Sequence, residues 1–237
     1  MRVFFHPEVQ PDHTTCTLPA EDSKHAVKVL RMQTGDVLQL RDGKGGVYDC
    51  QIKEANPKKC VLAIDRYEYF DRTSEGRIHI AMAPTKNMDR TEFFVEKAVE
   101  IGVDAISFML THHSERKVVK TDRVQRIAVS GMKQSRKLHL PNIGELTPFE
   151  EFVSNVEADE KFIAYVPENP DHHLFKVASP NKNYCVLIGP EGGFTEEEVA
   201  FAKQHGFKAV SLGKSRLRAE TAALAACHTL NLLQIRD

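Results

Sequence analysis

The 237-residue chain is 41% hydrophobic and 27% charged with a formal net charge of -1. No apolar run approaches the ~18 residues of a membrane-spanning helix, and the composition is that of a folded protein, so an integral helical membrane protein and a disordered polyelectrolyte are excluded. The N-terminal MRVFFHPEVQ lacks the apolar stretch and small-residue cleavage site of a secretory signal, and a mature, cytoplasmic chain is expected. Five cysteines, Cys16, Cys50, Cys60, Cys185 and Cys227, are scattered without a Cys-x-x-Cys or a zinc-like histidine spacing. Free buried thiols in a reducing compartment follow, with no metal site.

In chain order, about the first 70 residues read as β-rich, with short apolar runs at 37–40, 47–52 and 60–64. Asp42-Gly43, Gly45-Gly46 and Asn56-Pro57 punctuate them as turns, which predicts a small barrel or compact sheet. One amphipathic helix is expected over 22–31, with Ala26, Val27 and Leu30 at helical spacing and Lys24, Lys28 and Arg31 on its other faces. The polar stretch 71–76 suits a linker, dividing the chain into 1–72 and 73–237. Beyond it strands alternate with longer helices, the pattern of an α/β fold. Strands are expected at 78–83, 105–110, 162–166, 185–188 and 209–212, and helices at about 90–101, 122–134, 148–156, 196–205 and 219–235. Gly102 and Gly206 sit where C-terminal helix caps belong, and Thr195 with Glu198 makes a capping box. This order predicts a mainly parallel sheet with ligands at the carboxyl ends of its strands.

Charge is unevenly distributed. Residues 111–140 hold eight bases and two acids, a local net charge of +6, whereas 145–160 hold six acids and no base. A polyanion can dock only on the first stretch, although a solvated helix face has the same composition.

Gly189, Pro190, Glu191, Gly192 and Gly193 follow an apolar strand and precede the capped helix. Three glycines and a proline in five positions set a tight path on which backbone groups face a ligand, more glycine than a plain strand-to-helix turn needs. Glu191 suits either a turn acid or a pocket acid. In SLGKSRLRAETA (211–222), Gly213-Lys214-Ser215 resembles the end of a phosphate-binding P-loop. That pattern requires a glycine where the chain has Lys208, so nucleoside triphosphate hydrolysis is excluded. Arg218 and Glu220 flank the start of an alanine-rich helix. Glu220 suits the positive end of a helix dipole, while Arg218 does not, which points to a task elsewhere. His112 and His113, adjacent at a strand end, point to opposite sides.

LIGPEGGF (187–194) and SLGKSRLRAETA, with KNMDRTEFFVEKAVEIGVDAI (86–106) and MKQSRKLHLP (132–141), resemble the ribosomal RNA small subunit methyltransferase E family, a branch of the SPOUT class of knotted methyltransferases. MRVFF (1–5) and HAVKVLRMQTGD (25–36) extend the likeness over nearly the whole chain. The resemblance implies a PUA-like β-barrel that helps grip RNA, a C-terminal α/β domain with a deep trefoil knot, and a homodimer. It further implies S-adenosylmethionine as cofactor and methylation of N3 of one uridine in 16S ribosomal RNA of the small ribosomal subunit. A sibling SPOUT enzyme acting on transfer RNA or a ribose 2′-hydroxyl, and a non-catalytic RNA-binding module, are the competing readings.

By the same resemblance, the cofactor is expected at Leu187, Ile188, Gly189, Pro190, Glu191, Gly192 and Gly193 on one wall, and at Leu212, Gly213, Leu217, Arg218, Thr221 and Ala222 on the other. Arg218 or Arg136 would stabilise the uracil anion, and Glu220, with Glu191 as second choice, would take the N3 proton. Arg2, Lys28, Arg31, Arg116, Arg123, Gln134 and Arg136 are expected to contact RNA. The chain departs from the family in having Ala219 for a threonine, Val124 for a tryptophan, and Val99 and Ile101 for threonine and leucine.

Overall fold

The computed structural model describes residues 1–72, 75–165 and 172–235. The chain divides into two compact units: Met1–Thr73 with Met132–Leu140, and Ser74–Gly131 with Pro141–Asp237.

The first unit is a five-stranded sheet built from β1 (Val3–Phe5), β2 (Thr15–Thr17), β3 (Val37–Arg41), β4 (Gly46–Glu54) and β5 (Val61–Tyr69), in the order β1-β3-β4-β5-β2. Only β1 and β3 pair in parallel; the other pairs are antiparallel. Alternation fixes the register: Leu38 lies opposite Cys50 and Leu40 opposite Tyr48, all four in one buried cluster. A one-residue slip would turn that set to solvent, so burial and register enforce each other. The helix expected over 22–31 begins earlier, as α1 (Ala20–Lys24), and widens into a π-helical turn over His25–Val29, where the Leu30 amide reaches the His25 carbonyl. Buried Ser23 ties it down by donating to the Leu18 carbonyl at 2.9 Å and accepting from the Cys60 amide at 3.0 Å. Segment 132–140 packs within this unit: Arg41 donates to the Lys137 carbonyl at 3.1 Å, and Lys44 bridges to His139.

The second unit is a six-stranded, fully parallel sheet. Its strands are β6 (Ile78–Met82), β7 (Ala105–Leu110), β8 (Asn142–Pro148), β9 (Glu160–Ala164), β10 (Tyr184–Ile188) and β11 (Phe207–Val210), in the order β11-β9-β10-β6-β7-β8. Its helices are α2 (Met88–Ile101), α3 (Thr121–Gln134), α4 (Phe149–Asn155), α5 (Leu174–Val177), α6 (Glu196–Gln204) and α7 (Ala219–Leu233). The mainly parallel α/β sheet expected from the sequence is therefore present. Side chains of α4 and α6 join one core cluster with Ala81, Ile163 and Leu187, while α7 packs on β6, β10 and α2. Cover on both faces explains why all five residues of β10 are buried.

The chain runs outward through β6, β7 and β8, crosses to β9, then inserts β10 between β9 and β6. The loops after β6 and β10 therefore meet at a switch in strand order, where open α/β sheets bind ligands. Two expected strands end differently. The last strand spans Phe207–Val210 rather than 209–212, because Ser211 turns to hold Gly213 through its hydroxyl at 3.0 and 3.1 Å. The strand expected over 162–166 spans Glu160–Ala164, and Val166 lies outside the described residues, as do Thr73 and Ser74 of the expected linker.

Candidate active site

A cleft of about 720 Å³ opens at the carboxyl ends of β9, β10 and β11. Ala164 ends β9 and Tyr165 follows it, residues 188–194 leave β10, and residues 210–213 leave β11; Arg90 of α2 and residues 215–219 and 222 complete it. The size lies within the range of small-molecule sites, and all of these residues belong to the second unit.

The 189–193 loop is held from below and from both sides. Thr195 accepts from the Glu198 amide at 3.2 Å while Glu198 accepts from the Thr195 amide at 2.9 Å, the reciprocal cap that starts α6. The second Glu198 oxygen accepts from the His112 amide at 2.8 Å. His113 Nδ1 donates to the Gly193 carbonyl at 3.1 Å, and Gly192 runs so close that a Cβ there would stand 2.9 Å from His113 Cβ. The two histidines do not point to opposite sides as expected: they lie in a turn after β7, where strand alternation no longer holds, and their rings meet edge to face with centroids 5.0 Å apart. Gly193 at φ 73° and Gly213 at φ 130° take left-handed paths that disfavour any side chain.

On the far side, Glu191 accepts from the Lys86 amide at 3.1 Å. The loop after β6 that carries Lys86 is itself locked, since buried Thr85 and Thr91 share a hydroxyl bond of 2.8 Å and Asn87 caps α2 by accepting from Asp89. Glu191 thus ties two strand-end loops together while lining the cleft.

The residues expected to hold the cofactor fall into three groups. Ile188, Gly189, Pro190, Glu191, Gly192, Gly193, Leu212, Gly213, Leu217, Arg218 and Ala222 line the cleft. Leu187 does not: it is fully buried in the sheet core, because successive strand residues face opposite sides and Ile188 takes the cleft side. Thr221 is exposed and outside the lining, one residue short of the helix face that Arg218 and Ala222 share. Arg218 stands immediately before α7 and makes no side-chain cap, as its charge requires. Glu220 is buried and turned from the cleft toward α2, with Arg90 Nε 4.0 Å from its carboxylate. Arg136 belongs to the first unit, where it is exposed and has a left-handed backbone at φ 57°.

Sequence reasoning missed Arg90, Tyr165, Phe194, Ser211 and Ala219 in the lining. The carboxyl-end rule points to Tyr165, which directly follows β9. Nothing local marks Arg90, which arrives through the packing of α2 on α7. Of the expected RNA contacts, Arg2, Lys28, Arg31 and Gln134 are exposed on the first unit. On the second, Arg123 is exposed and paired with Glu92 at 2.8 Å, and Arg116 is partly buried against the Lys86 carbonyl at 2.8 and 3.2 Å. Among the described residues, no cluster of three or more His, Cys, Asp or Glu is placed to hold a metal, and no helix is long and apolar enough to cross a membrane.

One unit of the chain carries a parallel sheet with a glycine-lined cleft at its strand ends and the other a small β-rich sheet, and the chain is an RNA methyltransferase by family: the RNA methyltransferase domain model matches residues 72–231 and the RNA methyltransferase PUA domain model matches 18–65. A ribosomal RNA small subunit methyltransferase E from Synechocystis sp. is 30% identical over 230 residues, 92% of this chain and 73% of that protein. The chain belongs to the ribosomal RNA small subunit methyltransferase E family. Among solved structures, one described as a probable rRNA-methyltransferase from Porphyromonas gingivalis is 40% identical, with a TM-score of 0.90 and coverage of 99% of this chain and 98% of that one. The Neisseria gonorrhoeae family member, solved bound to S-adenosyl methionine, is 30% identical with a TM-score of 0.84 and 98% coverage of both chains.

Proposed function

We propose that the chain transfers a methyl group from S-adenosylmethionine to N3 of a specific uridine in 16S ribosomal RNA of the small ribosomal subunit. The observation that carries this reading is the cleft, in which the two glycine-containing segments of the sequence form facing walls of one cavity. Its lining suits the donor. Apolar Ile188, Leu212 and Leu217 can sandwich a purine, backbone at Gly189 and Gly193 is bare of side chains, and Arg90 and Glu191 can meet a charged amino-acid tail.

S-Adenosylmethionine supplies a methyl group already activated on a sulfonium. The chain then has to position, and alignment of reacting atoms can contribute on the order of 7–11 kcal/mol. It must also accept the N3 proton and support the uracil anion. Arg218, in the lining, is the residue proposed to support that charge; Arg136, the alternative, belongs to the first unit. Glu191, also in the lining, and Glu220, behind it, are the candidate bases. N3 lies on the pairing edge, so the uridine must be unpaired or flipped out.

The division into an RNA-gripping PUA-like domain at 1–72 and a methyltransferase domain at 73–237 belongs to the same proposal. So do phosphate contacts from Arg2, Lys28, Arg31, Gln134 and Arg136 on the first unit and Arg116 and Arg123 on the second, a homodimeric state and a cytoplasmic location. Calorimetry with S-adenosylmethionine tests the cleft. The wild-type chain should bind, and Gly192→Ala, which drives a Cβ into His113, should weaken binding roughly tenfold, about 1.4 kcal/mol. Absence of binding by the wild type would contradict the reading.

A further inference from the structure

The second unit holds another pocket, of about 390 Å³, lined by Met88, Glu92, Arg116, Val118, Lys120 and Arg123. Met88 and Glu92 stand one helical turn apart on α2, Arg116, Val118 and Lys120 lie between β7 and α3, and Arg123 is in the first turn of α3. Three cations and one acid therefore surround an apolar pair. Val118 is 66% exposed, an unusual position for a β-branched aliphatic side chain beside so many charges.

The cations are not all used up by the fold. Arg123 is engaged by Glu92. Arg116 directs Nε and one terminal nitrogen at the Lys86 carbonyl, leaving its other terminal nitrogen able to donate. Lys120 is exposed and enters no ion pair among the described residues. Spare cationic donors beside a small apolar wall match a nucleotide, which presents an anionic phosphate and a flat base.

The pocket is also wired to the cleft. Arg116 holds the carbonyl of Lys86, and the amide of the same Lys86 is held by Glu191, which lines the methyl-donor site. One residue separates the two cavities along this path. We propose that this pocket seats a nucleotide flanking the target uridine, its phosphate on Lys120 and Arg116 and its base against Val118 and Met88. This rests on the RNA methyltransferase reading above and adds a specific substrate subsite to it.

Filter binding of the full chain to unmethylated small ribosomal subunits over a salt series, alongside calorimetry with S-adenosylmethionine, tests it. Lys120→Ala should weaken subunit binding roughly three- to tenfold and flatten the slope of log K against log salt by about 0.7, the value for one lost single-strand phosphate contact. Val118→Asp should weaken binding at least as much, and Lys120→Arg should restore the wild-type slope. Cofactor affinity should stay at the wild-type value in all three. Wild-type affinity and salt slope in both Lys120→Ala and Val118→Asp would overturn the subsite, as would loss of cofactor affinity in those variants, which marks a damaged fold. A wild-type chain that binds neither cofactor nor subunits would remove the enzymatic reading, and the subsite with it.

Discussion

Glu191 accepts the Lys86 amide at 3.1 Å, and Glu220 lies 4.0 Å from Arg90 Nε, so each carboxylate already has an electrostatic commitment within the fold. Among the described residues Arg218 has no such commitment: it precedes α7 without capping it and lines the cleft. Arg218→Ala should therefore lower kcat by about 10²- to 10³-fold, the usual effect of removing one donor to a developing anion. Its calorimetric affinity for S-adenosylmethionine should change little; a variant with wild-type turnover would take Arg218 out of the chemistry. At this scale the sequence separated Arg218 from Glu220 by the helix dipole alone, but could not see Arg90, which comes from a helix more than a hundred residues away.

Elements were legible where hydrophobic period and caps agreed. The reciprocal Thr195–Glu198 cap, the glycine after α2, and the start of α7 at Ala219 follow directly from residue type. Strand β8 was not legible. It lies at the sheet edge, and only one of its neighbours supplies a pattern, so Asn142–Pro148 shows no buried alternation. Its Gly144 instead reflects a close approach, since a Cβ there would meet Ser107 Oγ at 2.7 Å.

That same Ser107, on β7, hydrogen-bonds His79 Nε2 of β6 at 2.8 Å, and burial lowers the His79 pKa from 6.5 to about 4. The imidazole is thus neutral in the fold, whereas the unfolded chain protonates near pH 6.5. Its contribution to stability is complete above that pH and is lost as pH falls toward 4. Between pH 7 and pH 5 this amounts to about 2 kcal/mol. Urea unfolding of the wild type and of His79→Asn at both pH values should show a steeper pH loss in the wild type; equal losses would contradict a neutral buried His79.

Across the whole molecule, composition was a good guide to the chemistry of the thiols and a poor one to the partner. All five cysteines are free, four of them buried. Burial pushes Cys50 and Cys185 up to about 12 and Cys16 up to about 11. In the folded chain at pH 8 an aromatic disulfide reagent should react slowly, and five thiols should appear on unfolding; rapid reaction of a native thiol at Cys50 or Cys185 would contradict that burial. The net charge of -1, by contrast, hides the cationic stretch around Arg116 and Arg123, and it was position along the chain rather than total charge that exposed it. The assembly of two walls into one cleft was not legible from spacing, because it depends on β10 inserting beside β6 while β11 lies at the far edge. Only the resemblance to a family supplied it.

The most direct test of the function is to incubate the chain with unmethylated small ribosomal subunits and tritiated S-adenosylmethionine, digest the RNA and identify the labelled nucleoside. The proposed function predicts label in 16S ribosomal RNA as 3-methyluridine at one position. Label in a ribose 2′-O-methyl nucleoside, label confined to transfer RNA added in parallel, or no label at all would contradict it.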